Sequence, residues 1–293
     1  MTRPPRDLYR RPVSRDDACP MPRPPETRPS MVVTSLTNPA VKELRGLHLK
    51  KERAETGLFL AEGLKLVRDA LDAGWPIATL VHAARVKDQP QVVETVKAAR
   101  AAGARVLEVS DEVLTKISRR DNPQMVVAAF RQRLGRLDGL VPDGVWVALE
   151  GIRDPGNLGT IVRTVDSVGA KGVILLGEVT DPFALEAVRA TMGSLFHVPL
   201  VAASLADFAA WKKETGVKVF GTHLKGAVDY RTVDWPETCV VLMGNEQSGL
   251  DDAHVAVCDR VVKIPMAGRA DSLNLAVATA VMLYEVRRGR LAM

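Results

Sequence analysis

From Leu36 onward the apolar positions alternate between a helical period and short unbroken runs, the pattern of an α/β chain. Asn38-Pro39 reads as a cap and first turn. Val41, Leu44, Leu47 and Leu49 then fall near helical spacing and leave Lys42, Lys50, Lys51 and Arg53 available to solvent. Phe59-Leu60-Ala61 predicts a short strand, Glu62-Gly63 a break, and Leu64, Val67, Ala70 and Leu71 the apolar stripe of a helix ended by Gly74 and Pro76. Strands over 77–81, 105–109 and 125–130 and helices over 92–102 and 111–118 complete a small alternating α/β domain spanning 31–130.

Residues 131–143 carry charges and glycines without a sustained apolar period and predict an interdomain linker. Beyond them, apolar runs at 145–149, 172–176, 217–222, 239–243 and 260–264 alternate with helical segments over 158–168, 183–193 and 205–215. That alternation predicts a second α/β domain, 144–293, with a mostly parallel sheet covered on both faces. A final helix over 273–288 is a candidate packing or dimerisation element.

Composition narrows the classes. The chain has 293 residues, 46% hydrophobic and 26% charged, which is globular and excludes a wholly disordered, collagen-like or coiled-coil chain. No apolar run reaches the roughly 20 residues that a membrane-spanning helix needs. Cys19, Cys239 and Cys258 have no C-x-x-C spacing and no histidine pair nearby, so neither a disulfide framework nor a zinc site is expected, and a reducing cytoplasm is the default. Residues 1–30 hold seven arginines, four acids and eight prolines, contributing +3 of the formal +5. This leader has almost nothing to bury and is expected to be disordered, either as a solvated extension or as an arm attracted to phosphate.

Ligands of open parallel sheets collect beyond the carboxyl ends of the strands. Three loops there stand out: 150–159 followed by a helix bearing Arg163; Gly244-Asn245-Glu246-Gln247-Ser248-Gly249; and Ile264-Pro265-Met266 followed by Asp271-Ser272-Leu273-Asn274. Each has a plain structural reading: Asn157 or Ser272 as a helix cap, Gly244 and Gly249 as turn glycines, Arg163 as a solvated helix residue. None matches the dinucleotide fingerprint or the P-loop.

Taken together, Asn157-Leu158-Gly159-Thr160-Ile161-Val162-Arg163-Thr164, Gly244-Asn245-Glu246 and Ile264-Pro265-Met266 with Ser272-Leu273-Asn274 resemble, in order and spacing, the three motifs of the SpoU/TrmH family of SPOUT-class RNA 2′-O-ribose methyltransferases. Arg189-Ala190-Thr191-Met192-Gly193-Ser194 also resembles that family. Asn38-Pro39, Glu62-Gly63 and Asn122-Pro123-Gln124 resemble the L30-like substrate-binding domain that precedes the catalytic domain in many members. Gln247 departs from the pattern, standing where many members have glycine.

The resemblance implies a deep trefoil knot in the C-terminal domain, S-adenosylmethionine as cofactor and a homodimer. By motif matching, Thr222, Gly244, Ile264, Met266 and Leu273 are the expected cofactor contacts, largely through backbone and apolar walls. Arg163 takes the place of the motif arginine often assigned as catalytic base. Because a guanidinium does not deprotonate in proteins, the expectation here is that Arg163 binds the neighbouring phosphate and polarises the hydroxyl. Asn157, Ser272 and Asn274 would orient that hydroxyl, and Glu246 would organise the arginine or its loop. RNA is the expected partner, held by Lys42, Lys50, Lys51, Arg53, Arg119 and Arg120. With 4% aromatic residues, phosphate and shape contacts should outweigh stacking. Ribosomal RNA is favoured over tRNA because an L30-like domain is present. The rival readings are a tRNA 2′-O-methyltransferase, a non-catalytic RNA-binding relative and a nucleotide-dependent reductase.

Overall fold

The computed structural model describes residues 32–223, 227–245 and 247–291. The expected 1–30 leader lies outside them, as do Cys19 and Glu246. The described chain divides into two compact units, one made of 32–132 with Phe183–Arg189, the other of Arg133–Pro182 with 190–291.

The smaller unit contains α1 (Pro39–Gly46), α2 (Lys50–Thr56), β1 (Leu58–Glu62), α3 (Leu64–Asp72), β2 (Ile77–Ala83), α4 (Pro90–Ala101), β3 (Arg105–Val109), α5 (Asp111–Ser118) and β4 (Val126–Arg131). Its sheet runs β1-β4-β2-β3, with β4 antiparallel to both neighbours and β2 parallel to β3. Asn38 caps α1, its side chain accepting from the Ala40 N–H at 2.9 Å, and Pro39 supplies the preset first turn. The expected single helix over this stretch is two. Leu49 is extended, with φ −91° and ψ 131°, and starts α2 in a new direction.

In the larger unit, β5 (Val145–Glu150), α6 (Pro155–Ser167), β6 (Gly172–Leu176), the end of α7 (Leu185–Ala190), β7 (Leu200–Ala203), α8 (Leu205–Thr215), β8 (Lys218–Thr222), β9 (Val228–Asp229), β10 (Cys239–Met243), α9 (Asp252–Ala256), β11 (Arg260–Lys263) and α10 (Leu275–Val286) follow in order. Seven strands form one parallel sheet, β7-β6-β5-β10-β8-β11-β9. On one face Trp146, Ile174, Val201, Val240 and Leu242 pack with Phe208 and Trp211 of α8. Gly172 is required there, because a Cβ would overlap the Trp146 ring and stand 2.7 Å from the Pro199 carbonyl.

Two boundaries differ from the sequence-based expectation. The supposed linker is tied to the larger unit from residue 133 onward: Gly135 bridges to Val201, Leu137 and Leu140 are buried, and the Trp211 indole N–H donates to the Leu140 carbonyl at 2.7 Å. The helix expected over 183–193 is the short α7, and its residues up to Arg189 belong to the smaller unit, where the Phe183 ring lies 5.0 Å from Phe59. Strands β7 and β9 and helix α9 are too short to give a periodic signal.

Helix α10 is apolar nearly all round. Leu275, Ala276, Thr279, Met282, Leu283 and Val286 are buried, while Val277 (49%) and Tyr284 (52%) on another face stay exposed. Among the described residues no helix is long and apolar enough to cross a membrane, and Cys239 and Cys258 are free thiols.

Candidate active site

Because β5, β10, β8 and β11 are neighbours in a parallel sheet, their carboxyl ends share one edge. Glu150 ends β5, Thr222 ends β8, and Gly244 and Ile264 follow β10 and β11, so residues far apart in sequence are collected there.

The 244–250 turn is built from backbone contact. A Cβ on Gly244 would overlap the backbone of Gly249 and Leu250, so only glycine lets the turn close. Asn245 fastens it. Its side-chain oxygen accepts from the N–H groups of Gln247 (3.0 Å) and Ser248 (2.9 Å), and its own amide donates to the Glu150 carboxylate at 3.0 Å. Gln247, which stands where many relatives have glycine, takes part in this turn through its backbone N–H. Glu150 is a positioning residue that sequence reasoning missed; an acid at the end of a strand was its only visible signal.

At the opposite end of the site, Asp154 caps α6, accepting from the Asn157 N–H at 2.6 Å. Asn157 is therefore not the cap and sits in the first turn of α6. Asn274, not Ser272, caps α10, its oxygen accepting from Ala276 (2.9 Å) and Val277 (3.3 Å). The Asn274 amide then donates to the Asn157 side-chain oxygen at 3.0 Å. Both halves of the Asn274 side chain are thus engaged, which makes it a positioning residue for Asn157. Arg163 projects from α6 and is exposed, as is Ser272. One turn beyond Arg163, Asp166 accepts the Ser194 hydroxyl at 2.7 Å, holding the 191–196 loop against α6.

The five residues expected to meet the cofactor lie at strand ends or in the loops that follow them. Thr222 donates its hydroxyl to the Leu242 carbonyl at 3.3 Å, Gly244 offers bare backbone, and Ile264, Met266 and Leu273 are partly exposed. None of the five carries a charge.

In the smaller unit Lys42, Lys50, Lys51, Arg119 and Arg120 are exposed, as an RNA-facing surface requires. Arg53 does not belong with them. It is 5% exposed and its guanidinium donates to the Leu47 carbonyl at 2.8 Å, joining α2 to the end of α1, so it is unavailable to phosphate. His48 meets the Ile117 carbonyl at 2.6 Å. Burial, and then the charges of Arg119, Arg189 and Arg53, hold its pKa below the usual 6.5 against the opposing pull of that hydrogen bond. The buried carboxylate of Glu62 accepts two hydrogen bonds from Arg189, at 2.6 and 3.0 Å, and Arg189 also donates to the Ser118 carbonyl at 3.3 Å. No local pattern announces this pair, because its partners are remote in sequence.

Known proteins resemble the chain in sequence and in fold. Residues 144–284 match the SpoU rRNA Methylase family and residues 38–128 the MRM3-like substrate binding domain. The chain is 32% identical to a 23S rRNA (guanosine(2553)-2′-O)-methyltransferase, RlmP, of Bacillus subtilis, over 87% of this chain and 98% of that one. An AdoMet-bound rRNA methyltransferase from Sinorhizobium meliloti superposes with TM-score 0.85 at 54% identity, covering 90% of this chain and 99% of the other. The SpoU methyltransferase AviRb of Streptomyces viridochromogenes, solved with AdoMet, gives 0.78 at 30% identity over 86% and 98%.

Proposed function

Because the chain belongs to the SpoU rRNA methylase family, we propose that it transfers a methyl group from S-adenosylmethionine to a ribose 2′-hydroxyl of ribosomal RNA. The observation that carries this reading is the Asn274–Asn157 hydrogen bond, which ties the third motif loop to the helix bearing Arg163. That bond fixes the two motif segments relative to each other, as a site that combines groups from both requires.

The cofactor, when bound, supplies an electrophilic methyl carbon on a sulfonium. Everything else falls to this chain. Thr222, Gly244, Ile264, Met266 and Leu273 hold the cofactor along the sheet edge. Arg163 is exposed and permanently charged, so it grips the phosphate beside the target ribose and donates to the 2′-oxygen as negative charge develops there, while the hydroxyl proton passes to solvent water. Asn157, oriented by Asn274, keeps the hydroxyl aligned for in-line attack. Ser272, two residues before Asn274, helps orient the hydroxyl, and Glu246, in the 244–249 motif loop, organises the arginine or that loop. The exposed bases Lys42, Lys50, Lys51, Arg119 and Arg120 supply salt-sensitive phosphate contacts.

The reading includes a homodimer, because α10 leaves Val277 and Tyr284 in solvent on a helix that is otherwise apolar. It also includes the trefoil knot in the large unit and a cytoplasmic location, where ribosomal RNA is found.

Transfer of labelled methyl to unmodified ribosomal RNA and, separately, to tRNA, followed by nucleoside digestion, tests the reading. The expected product is a 2′-O-methylnucleoside in ribosomal RNA alone, lost in Arg163→Ala and strongly reduced in Arg163→Lys, which lacks the bidentate fork. Label in tRNA alone would move the substrate class, and retained turnover in Arg163→Lys would remove the fork from the mechanism.

A further inference from the structure

Of the described residues, only Arg119 and Met192 combine a side chain with a left-handed backbone, each at φ 52°. Arg119 ends α5 within the basic surface already assigned to RNA. Met192 has no such account. It follows α7 at the position where a helix commonly turns left-handed, but that position favours glycine, and here the glycine comes one residue later, at Gly193 with φ 104°.

The Met192 side chain is not there for the core, since it is 66% exposed. Its neighbours are the reverse. Thr191 and Ser194 are buried, as are Leu195 and Phe196. The loop is locked by its own hydrogen bonds: the Ser194 N–H donates to the Thr191 carbonyl at 3.1 Å, the Phe196 N–H to the Gly193 carbonyl at 3.0 Å, and the Ser194 hydroxyl to Asp166 at 2.7 Å. Asp166 stands three residues after Arg163 on α6, on the same side of the helix. A loop anchored one turn beyond the exposed arginine, on the helix that bears it, therefore presents one large apolar side chain to solvent in a conformation that disfavours it. Such over-determined strain persists where the presented group has a use.

We propose that Met192 contacts the RNA itself, lying against the base of the target nucleotide or its neighbour and so setting how the ribose is presented to Arg163. This rests on the methyltransferase reading above. Sequence-specific RNA recognition targets single-stranded loops and bulges, where the base beside the target ribose is unstacked and its open face can take an apolar partner. Methionine suits this, being unbranched, polarizable and adaptable to any base, and apolar wedges of this kind are used elsewhere to part base steps. A chain with 4% aromatic residues has few rings to spend on that role.

The test compares wild type with Met192→Ala, Met192→Gly and Met192→Leu in methyl transfer to a ribosomal RNA transcript, alongside S-adenosylhomocysteine affinity, thermal unfolding and sedimentation. Met192→Ala and Met192→Gly should lower kcat/KM for RNA roughly 2- to 10-fold, mainly through KM, with cofactor affinity unchanged. Met192→Leu should retain most of the activity. Met192→Gly should at the same time unfold about 2–4 °C higher, because it relieves the backbone; a loss of RNA use in a more stable protein cannot come from damage to the fold. Unchanged RNA kinetics in both truncations would overturn the proposal while leaving the enzyme reading intact. A shift in oligomeric state with unchanged RNA kinetics would also overturn it, assigning the side chain to a second copy of the chain. Absence of methyl transfer by wild type would overturn the enzyme reading and this proposal with it.

Discussion

Asn157 and Asn274 lie 117 positions apart and share a hydrogen bond of 3.0 Å, the amide of Asn274 donating to the side-chain oxygen of Asn157. The same Asn274 side chain caps α10 through its oxygen. One residue thereby sets both the start of the last helix and the orientation of a polar group in the first turn of α6.

These two duties separate by substitution. Asn274→Asp keeps an oxygen for the cap and removes the amide donor, so the melting temperature should stay close to wild type while methyl transfer falls. Asn274→Ala should lose both, at a cost of about 1 kcal/mol in stability. Calorimetry and initial rates on the two variants check this; equal activity in Asn274→Asp and wild type would dismiss the pairing as a contributor.

The turn at Gly244 tolerates no side chain because the backbone of Gly249 and Leu250 fills the space. Gly244→Ala should weaken S-adenosylhomocysteine binding at least tenfold or prevent soluble expression. At Gly249 nothing lies within 4 Å of a Cβ, but φ is +68°. Gly249→Ala should therefore cost only about 1 kcal/mol and keep measurable affinity. Isothermal titration of both variants makes the comparison, and a Gly244→Ala protein that binds normally would show that the turn can open.

The Glu62–Arg189 pair joins β1 to α7 inside the smaller unit, with the Glu62 side chain 1% exposed. One carboxylate oxygen of Glu62 is buried with no hydrogen-bond partner among the described residues, so Arg189 alone balances most of the charge. Arg189→Met should destabilise the protein by on the order of 3 kcal/mol, and adding Glu62→Gln should recover part of the loss, because the single change strands a buried charge. Chemical denaturation of the single and double variants measures the coupling.

His48 should make stability pH-dependent. Its folded pKa is depressed, so the unfolded chain takes up the proton first. The residue's contribution is complete above the ordinary value of 6.5 and is lost as pH falls through that value toward the lowered folded one. Melting temperatures of wild type should decline over that window more steeply than those of His48→Gln; parallel curves would mean that His48 does not govern the slope.

What the sequence by itself determined is the set of local and ordered features. The alternation of apolar runs and helical stripes specified two α/β domains and most of their strands, because burial patterns with periods near 2 and 3.6 are local properties. The predicted elements placed Gly244 and Ile264 at strand ends, Asn157 at the start of the helix after β5 and Arg163 within that helix. Tertiary structure alone decided which polar group pairs with which. It made Asp154 and Asn274 the caps, gave Glu150 to Asn245, buried Arg53 against Leu47, and drew the 183–189 segment and the 133–143 stretch away from their expected places. The physical reason is distance along the chain. A cap, an ion pair or an aromatic contact between residues tens of positions apart leaves no period in the sequence, and its energy appears only once the sheet has brought the partners together.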